Sequence, residues 1–411
     1  MAKIVYRGAS EVLTLKGVAE KDGRRVQESD LSILSKAAWI AENGRIIWIG
    51  PESQLPATKS EQEIDLQGAV VLPAFTECHT HLAFAGDRSE EFEWRQQGVS
   101  YQEIAARGGG IVSTVKATRA CDETALLKLM QKRSNRFVEQ GVTTLEVKSG
   151  YGLNLEAELN SLKAAAKIHG PRVVRTFLGP HSKPPEFESI EKYFEFVIEK
   201  LLPEIAREKV ADRADIFIEK GFFTSEQGAR YFEKAKSLGL GITAHVEQLS
   251  HSGGTSAALQ SGALSVDHIV EISQSEISKL ASSQTVAVLL PASDFYLKMK
   301  YPPARALIDE GACVALSTDF NPGTSPTQDL SLVGVLSRIE MKMTLPEVLT
   351  AWIYGAAKAL KKTPELGSLE VNKACDFICL DGHWRELFYS VGHHPVAQVW
   401  KCQTKIFEKK F

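Results

Sequence analysis

The chain has 411 residues, 44% of them apolar and 24% charged, with 30 Gly and 16 Pro. That composition belongs to a folded globular protein and excludes disordered, collagen-like and mucin-like classes. Lys and Arg number 48 against 51 Asp and Glu, a net charge of -3, so no strong positive field is present to hold a polyanion, and neither nucleic acid nor a membrane is expected as a partner.

From the N-terminus, MAKIVYRGASEVLTL has no apolar run followed by a small-residue cleavage site, and runs such as TVAVLLPA are too short to span a bilayer. The six cysteines (78, 121, 313, 375, 379 and 402) form no CxxC pair and are too few for a disulfide framework. Reduced thiols in a cytoplasmic protein are expected.

The first 70 residues or so read as β structure. WIAENGRIIWIG alternates around Asn43-Gly44, a pair suited to the positive φ angles of a tight hairpin. Short strands return from about Gly367 in ACDFICLD, HPVAQVWK and QTKIF. One small β-sandwich domain built from both termini, residues 1–70 plus 363–411, is therefore expected.

The middle, residues 71–362, carries eight short apolar runs: VVLPAF (70–75), TTLEVK (143–148), VVRTFLG (173–179), ADIFIE (214–219), GITAHVE (241–247), ALSVDHI (263–269), TVAVLLP (285–291) and CVALSTD (313–319). Helical patterns such as ETALLKLMQKRSNRFVEQG and SIEKYFEFVIEKLLPEIAREK lie between them. The fold class that follows is α/β, a (β/α)8 TIM barrel whose strands are buried on both faces. An open doubly wound sheet is disfavoured, because no GxGxxG or Walker A sequence follows a strand.

Barrel enzymes do their chemistry where strands end. His79 and His81 follow the first strand, His181 the third, His245 ends the fifth, His268 the sixth and Asp319 the eighth. Residues two apart on an extended chain face the same way, so both histidines of CHTH can reach one ion. Together with His245, His268 and Asp319 they form a candidate metal site, and His/Asp ligation without cysteine suits zinc or iron. Asp319 is read as a ligand and proton acceptor; the alternative is a cap for the next helix. His268 is read as a donor to a developing oxyanion; the alternative is a buried structural histidine.

This pattern resembles the amidohydrolase superfamily: HxH after strand one, His after strands five and six, Asp after strand eight, and a β-sandwich from both ends. The strings CHTHLAFAGDRSEEFEWRQQGVSYQEIAARGGGIVSTVKATRA, EVKSGYGL, TFLGPH, HVEQLSHSGG, GALSVDH and STDFNPGTSP, in that order, resemble the imidazolonepropionase family within it. The resemblance implies one metal ion held by His79, His81, His245 and Asp319. It implies hydrolysis of the lactam of 4-imidazolone-5-propanoate, with Arg88, Tyr151, His181, Gln248, Asn321, Gly323 and Thr324 binding substrate or product. Asp319 and His268 would then move the proton and steady the oxyanion, with Gln248 beside them.

A guanidinium at 88 suits the substrate's propionate; its competing reading is a salt bridge to Glu90 or Glu91. Tyr151 also reads as ordinary loop packing. Gln248 stands where some members carry Glu, and a carboxamide cannot act as a base near neutral pH. Ala74 and Glu77 in PAFTECHTH, and Val246 before Glu247, are further departures. Lys148 is expected to be structural rather than a metal-bridging carbamate. The resemblance implies a homodimer, although no dimer surface is legible. The competing functions are a related cyclic amidase or nucleobase deaminase, and a non-catalytic binding scaffold.

Overall fold

The computed structural model describes residues 3–99, 103 and 107–410. Five strands come first: β1 (Ile4–Leu13), β2 (Ile33–Glu42), β3 (Arg45–Pro51), β4 (Gln62–Asp65) and β5 (Val70–Pro73). Asn43 and Gly44 join β2 to β3 with φ of 51° and 78°, the paired left-handed angles that let a two-residue turn follow the strand twist.

The pairing of β1 shifts between Tyr6 and Ala9, where Gly8 has φ 72°. The first half of β1 pairs in parallel with β4 and the second half with β5, so one strand serves two neighbours by bending at the glycine. A Cβ on Gly8 would lie 2.3 Å from Asp65 Oδ1, which leaves no room for a side chain at the bend.

The C-terminal strands β14 (Phe377–Leu380), β15 (Val396–Lys401) and β16 (Thr404–Glu408) complete an eight-stranded mixed sheet, with β14 antiparallel to β5. Tyr6 stacks on Trp39 at 5.1 Å, Trp39 meets Phe377 edge-on at 5.0 Å, and Phe377 stacks on Trp400 at 5.6 Å. Aromatic side chains from both ends of the chain thus form a core separate from that of the barrel.

The barrel strands are β6 (Phe75–Glu77), β7 (Val142–Lys148), β8 (Arg172–Phe177), β9 (Arg213–Ile218), β10 (Gly241–Val246), β11 (Ser265–His268), β12 (Val286–Leu289) and β13 (Val314–Leu316). They pair in parallel and in chain order. Between β13 and β6 a parallel bridge pairs Thr80 with Phe320, and His81 N donates to Phe320 O at 2.9 Å, so the cylinder is nearly closed.

One expected strand divides. The run 70–75 is continuous in apolarity, but Val70–Pro73 pairs with β1 and β14 in the small sheet, and the first barrel strand is Phe75–Glu77. Both segments are fully buried, which is why hydrophobicity alone reads straight across the junction.

The long helix Glu123–Val138 is capped by Asp122, whose carboxylate accepts from Ala125 N at 2.7 Å. The 190–207 helical pattern contains one wide turn at Val197–Leu201, just before Pro203, whose missing N–H cannot continue regular α bonding. No described helix is long and apolar enough to cross a membrane.

Candidate active site

Side chains alternate along a strand, so register decides what faces the barrel axis. His245 pairs with Asp267 across β10 and β11, and Thr243 pairs with Asp215 across β10 and β9. Asp215, His245 and Asp267 therefore share one face. On the chain after β6, Thr80 is pinned to β7: its N and Oγ1 donate to Glu146 Oε2 and Glu146 O at 3.0 and 2.6 Å, and its carbonyl accepts from Lys148 N at 3.0 Å. That fixes His79 and His81, on either side of it, toward the site.

His79 Nε2 lies 3.4 Å from Asp319 Oδ1, His81 Nε2 lies 3.3 Å from the same oxygen, and His245 Nε2 lies 3.2 Å from His81 Nε2. Donors bonded to one ion at about 2.0–2.2 Å in a tetrahedron stand roughly 3.3–3.6 Å apart; His79, His81 and Asp319 form one cluster of that kind, which His245 joins through His81. His79 Nε2 and Asp319 Oδ1 are buried and make no hydrogen bond, as expected of atoms reserved for an ion. His268 also approaches: His79, His245 and His268 form a second triad with nitrogens within 4.8 Å of one another.

The groups behind these donors strengthen the case. Asp267 Oδ2 accepts from His79 Nδ1 at 2.6 Å and Asp215 Oδ1 accepts from His245 Nδ1 at 3.1 Å, so each imidazole presents Nε2 to the centre. Lys148 Nζ sits 2.9 Å from both Asp215 Oδ2 and Glu146 Oε1, and Arg213 Nη2 is 3.1 Å from Glu146 Oε1. Lys148 is thus a completely buried ion-pair partner, as expected of a structural lysine, and its charge is held by two carboxylates.

Among the described residues, Asp215 and Glu146 meet the permanent cations Lys148 and Arg213, whereas the contacts of Asp267 and Asp319 are with histidines. Uncompensated buried charge is costly, and a bound cation would offset it. Burial and Lys148 push the His79 pKa down, but the hydrogen bond with Asp267 and the nearby Asp319 carboxylate prevail and raise it to about 9. Burial lowers His81 to about 4 and holds His268 well below the usual histidine range. Burial pushes the Asp319 carboxyl up, yet its contacts with His79 and His81 outweigh this and keep it well below the carboxylate range.

The strand ends are locally strained. His268 has φ 77° and Asp319 φ 52°, the left-handed region that most side chains avoid. Asp319 does not cap the following helix; Leu330–Ile339 is capped by Asp329, which accepts from Ser331 N and Leu332 N.

A cavity of about 410 Å³ opens over these groups. Arg88, Tyr151, His181, Gln248, Asn321 and Thr324 line it together with His81, His245, His268 and Asp319. Gly323 does not; it lies behind Arg88, where an added Cβ would be 2.0 Å from Arg88 Nη1. The salt bridge expected as the competing reading of Arg88 is present, its Nε donating to Glu91 Oε2 at 2.7 Å, and the guanidinium also lines the cavity.

His181 Nδ1 donates to Gly150 O at 2.9 Å, leaving Nε2 as an acceptor, and its ring stacks on His81 at 5.1 Å. Burial, then the neighbouring His81 and His245, lower its pKa to about 3. Burial raises the Tyr151 phenol well above its usual value, so it is a neutral hydrogen-bond group. Asn321 builds the loop: its Oδ1 accepts from Gly323 N at 2.9 Å and Thr324 N at 2.7 Å, and its Nδ2 donates to Asp319 O at 2.7 Å.

Sequence reasoning missed Asp215 and Asp267, and it met Glu91 only as a salt-bridge partner for Arg88. The first two carried a signal, a carboxylate inside an otherwise apolar strand. Glu91 accepts from Gly110 N at 2.8 Å as well as from Arg88, a long-range contact that no local pattern announces.

Residues 70–409 match the model of the amidohydrolase family, and the chain belongs to that family of hydrolytic enzymes. Solved structures agree on the fold: a triazine hydrolase from Arthobacter aurescens superposes with TM-score 0.72 at 16% identity, covering 99% of this chain and 95% of that one. A zinc-bound adenosine deaminase from Xanthomonas campestris gives 0.69 at 17%, covering 98% and 92%. Closer in sequence is the imidazolonepropionase of Bdellovibrio bacteriovorus, 53% identical over 98% of this chain and 96% of the relative. That of Symbiobacterium thermophilum is 41% identical over 96% and 95%. At such identity over nearly full length, the chain belongs to the imidazolonepropionase family.

Proposed function

We propose that this enzyme hydrolyses the lactam C–N bond of 4-imidazolone-5-propanoate to give N-formimidoyl-L-glutamate, a step of histidine degradation. The observation that carries the reading is a guanidinium, Arg88, lining the same cavity as His81, His245 and Asp319, with His79 buried beside them. A propionate held at Arg88 leaves its flat ring to reach the histidines.

His79, His81, His245 and Asp319 would hold one zinc or iron ion. Such an ion supplies Lewis acidity, which makes a water more acidic and a carbonyl more electrophilic. The chain's own groups do the rest. Asp319, ionised and buried, accepts a proton from the attacking water as its oxygen adds to the ring carbonyl carbon. His268, kept neutral by burial, offers one N–H to the oxyanion. The proton on Asp319 then passes to the ring nitrogen, the leaving group, as the C–N bond breaks, and the former carbonyl carbon becomes a carboxylic acid that gives up its remaining proton to solvent.

Arg88 binds the propionate, Tyr151 and the neutral His181 Nε2 hold ring polar atoms, and Gln248 orients without acting as a base. Asn321 and Thr324 keep the loop over the cavity in shape, and Gly323 leaves Arg88 its space. The same reading makes the partner a small carboxylate-bearing molecule and the protein a cytoplasmic homodimer with reduced thiols; all six cysteines are free.

The test is a turnover comparison of 4-imidazolone-5-propanoate with guanine, cytosine and a dihydropyrimidine. The imidazolone is expected to be preferred strongly. Faster turnover of any nucleobase would overturn the assignment.

A further inference from the structure

A second cleft of about 580 Å³ lies on the other side of the 321–324 loop and shares Arg88 and Asn321 with the catalytic cavity. Its charges are one-sided. Arg95, Lys132, Arg133 and Arg136 line it along with Arg88, and Asp87 is the one acidic residue among its described lining. The Asp87 carboxylate already accepts from Ser89 N at 3.0 Å and from Ser89 Oγ.

The cations are arranged rather than scattered. Arg133 lies 3.5 Å over the Phe84 ring and donates to the carbonyls of Leu82 and Phe84 at 2.8 and 2.6 Å. No carboxylate pairs with it among the described residues, and burial, then Arg136, push its pKa down to about 10. Lys132 and Arg136 sit four residues apart on the helix Glu123–Val138, a like-charge spacing that disfavours a helix. Both are exposed at the cleft and have no ion pair among the described residues. Arg95 Nη2 donates to Gly323 O at 3.1 Å, so a cleft cation grips the loop that backs Arg88.

The floor is different in character. Phe84, Phe92, Tyr296 and Phe320 line it, and Phe92 meets Tyr296 edge-on at 6.3 Å between the helices Ser89–Gln96 and Pro291–Leu297. Arg133 and Arg95 lie over the Phe84 and Phe92 rings at 3.5 and 5.5 Å, and Lys132 and Arg136, without an ion pair among the described residues, stand beside this cation-and-ring surface, which suits a flat organic anion better than a compact inorganic one.

We propose that this cleft is a second, non-catalytic binding site for small carboxylates carrying a flat ring, the chemical class to which the proposed substrate belongs. Lys132 and Arg136 attract the carboxylate and the aromatic floor takes the ring. Because Arg88 and the 321–324 loop form its inner wall, an occupant there lies one side chain away from the catalytic cavity. The inference rests on the proposed function only for the choice of ligand class.

The experiment measures binding of 3-(imidazol-4-yl)propanoate, which has no lactam to hydrolyse, by calorimetry on the metal-loaded enzyme. Wild type is expected to bind two equivalents per chain, the weaker one sensitive to salt. The double variant K132E/R136E changes exposed residues outside the catalytic cavity. It is expected to lose the weaker equivalent, with at least a tenfold fall in that affinity, and to keep kcat/KM at low substrate. Equal stoichiometry in the two proteins, whether one or two, would overturn the proposal. Displacement of the weaker equivalent by inorganic phosphate as readily as by the probe would overturn the ring-recognition part. Failure to turn over the imidazolone, with the weaker equivalent still lost in the variant, would remove the functional assignment and leave the cleft standing.

Discussion

Gly323→Ala isolates what Arg88 does. Gly323 has no left-handed backbone angle, so alanine brings no conformational strain of its own. Its Cβ would fall 2.0 Å from Arg88 Nη1 and 2.7 Å from Cζ, where the nearest comfortable approach is about 3.5 Å. The guanidinium must therefore retreat by roughly 1.5 Å, enough to break the 2.7 Å bond to Glu91 or to misalign a bound propionate. A hydrogen bond to a charged group is worth about 1.5–3 kcal/mol, or about 10- to 150-fold. That loss is expected in kcat/KM and mainly through KM, since the propionate is remote from the bond being cleaved. Initial rates over a range of substrate concentration, with metal content and melting temperature as controls, measure it. A kcat/KM within twofold of wild type, or a fall in kcat at constant KM, would refute the assignment of Arg88 to the carboxylate.

Asp319→Asn keeps volume and a residue type at ease at φ 52°; it is expected to retain the fold, lose most activity and bind metal poorly. Circular dichroism, turnover and metal analysis together check this, and near-normal turnover would count against proton transfer by Asp319. Asp267→Asn removes the charge behind His79 and is expected to weaken metal affinity by about 10- to 100-fold, read by chelator competition. The metal-free protein should lose stability as pH rises. His79 is raised from 6.5 to about 9 in the fold, so its contribution is complete below pH 6.5 and gone once pH passes about 9. Melting temperatures of chelator-treated protein across that interval test it, and a flat profile would show that His79 is not held protonated.

The barrel was legible because parallel strands buried on both faces read as unbroken apolar runs. The same property hid the junction at Ala74, where one apolar run serves two sheets. The candidate ligands stood out because histidine and aspartate interrupt strand ends, and because His79 and His81 share a spacing. Asp215 and Asp267 act through the histidines they hold, and the pairing of His79 with Asp267 spans 188 residues. Arg88 shows a different limit. A salt bridge to Glu91 does not exclude a ligand at the same side chain, since Nε and the outer nitrogens of a guanidinium point to different neighbours.

The backward-turned angles at His268 and Asp319 narrow which substitutions a lineage can try. Aspartate, asparagine, histidine and glycine settle readily at such an angle; glutamate and β-branched residues do so at a conformational penalty. An exchange of one acid for another at 319 therefore meets an obstacle in the main chain before its chemistry is ever sampled. Drift at this rim should run along the few residues the backbone accepts.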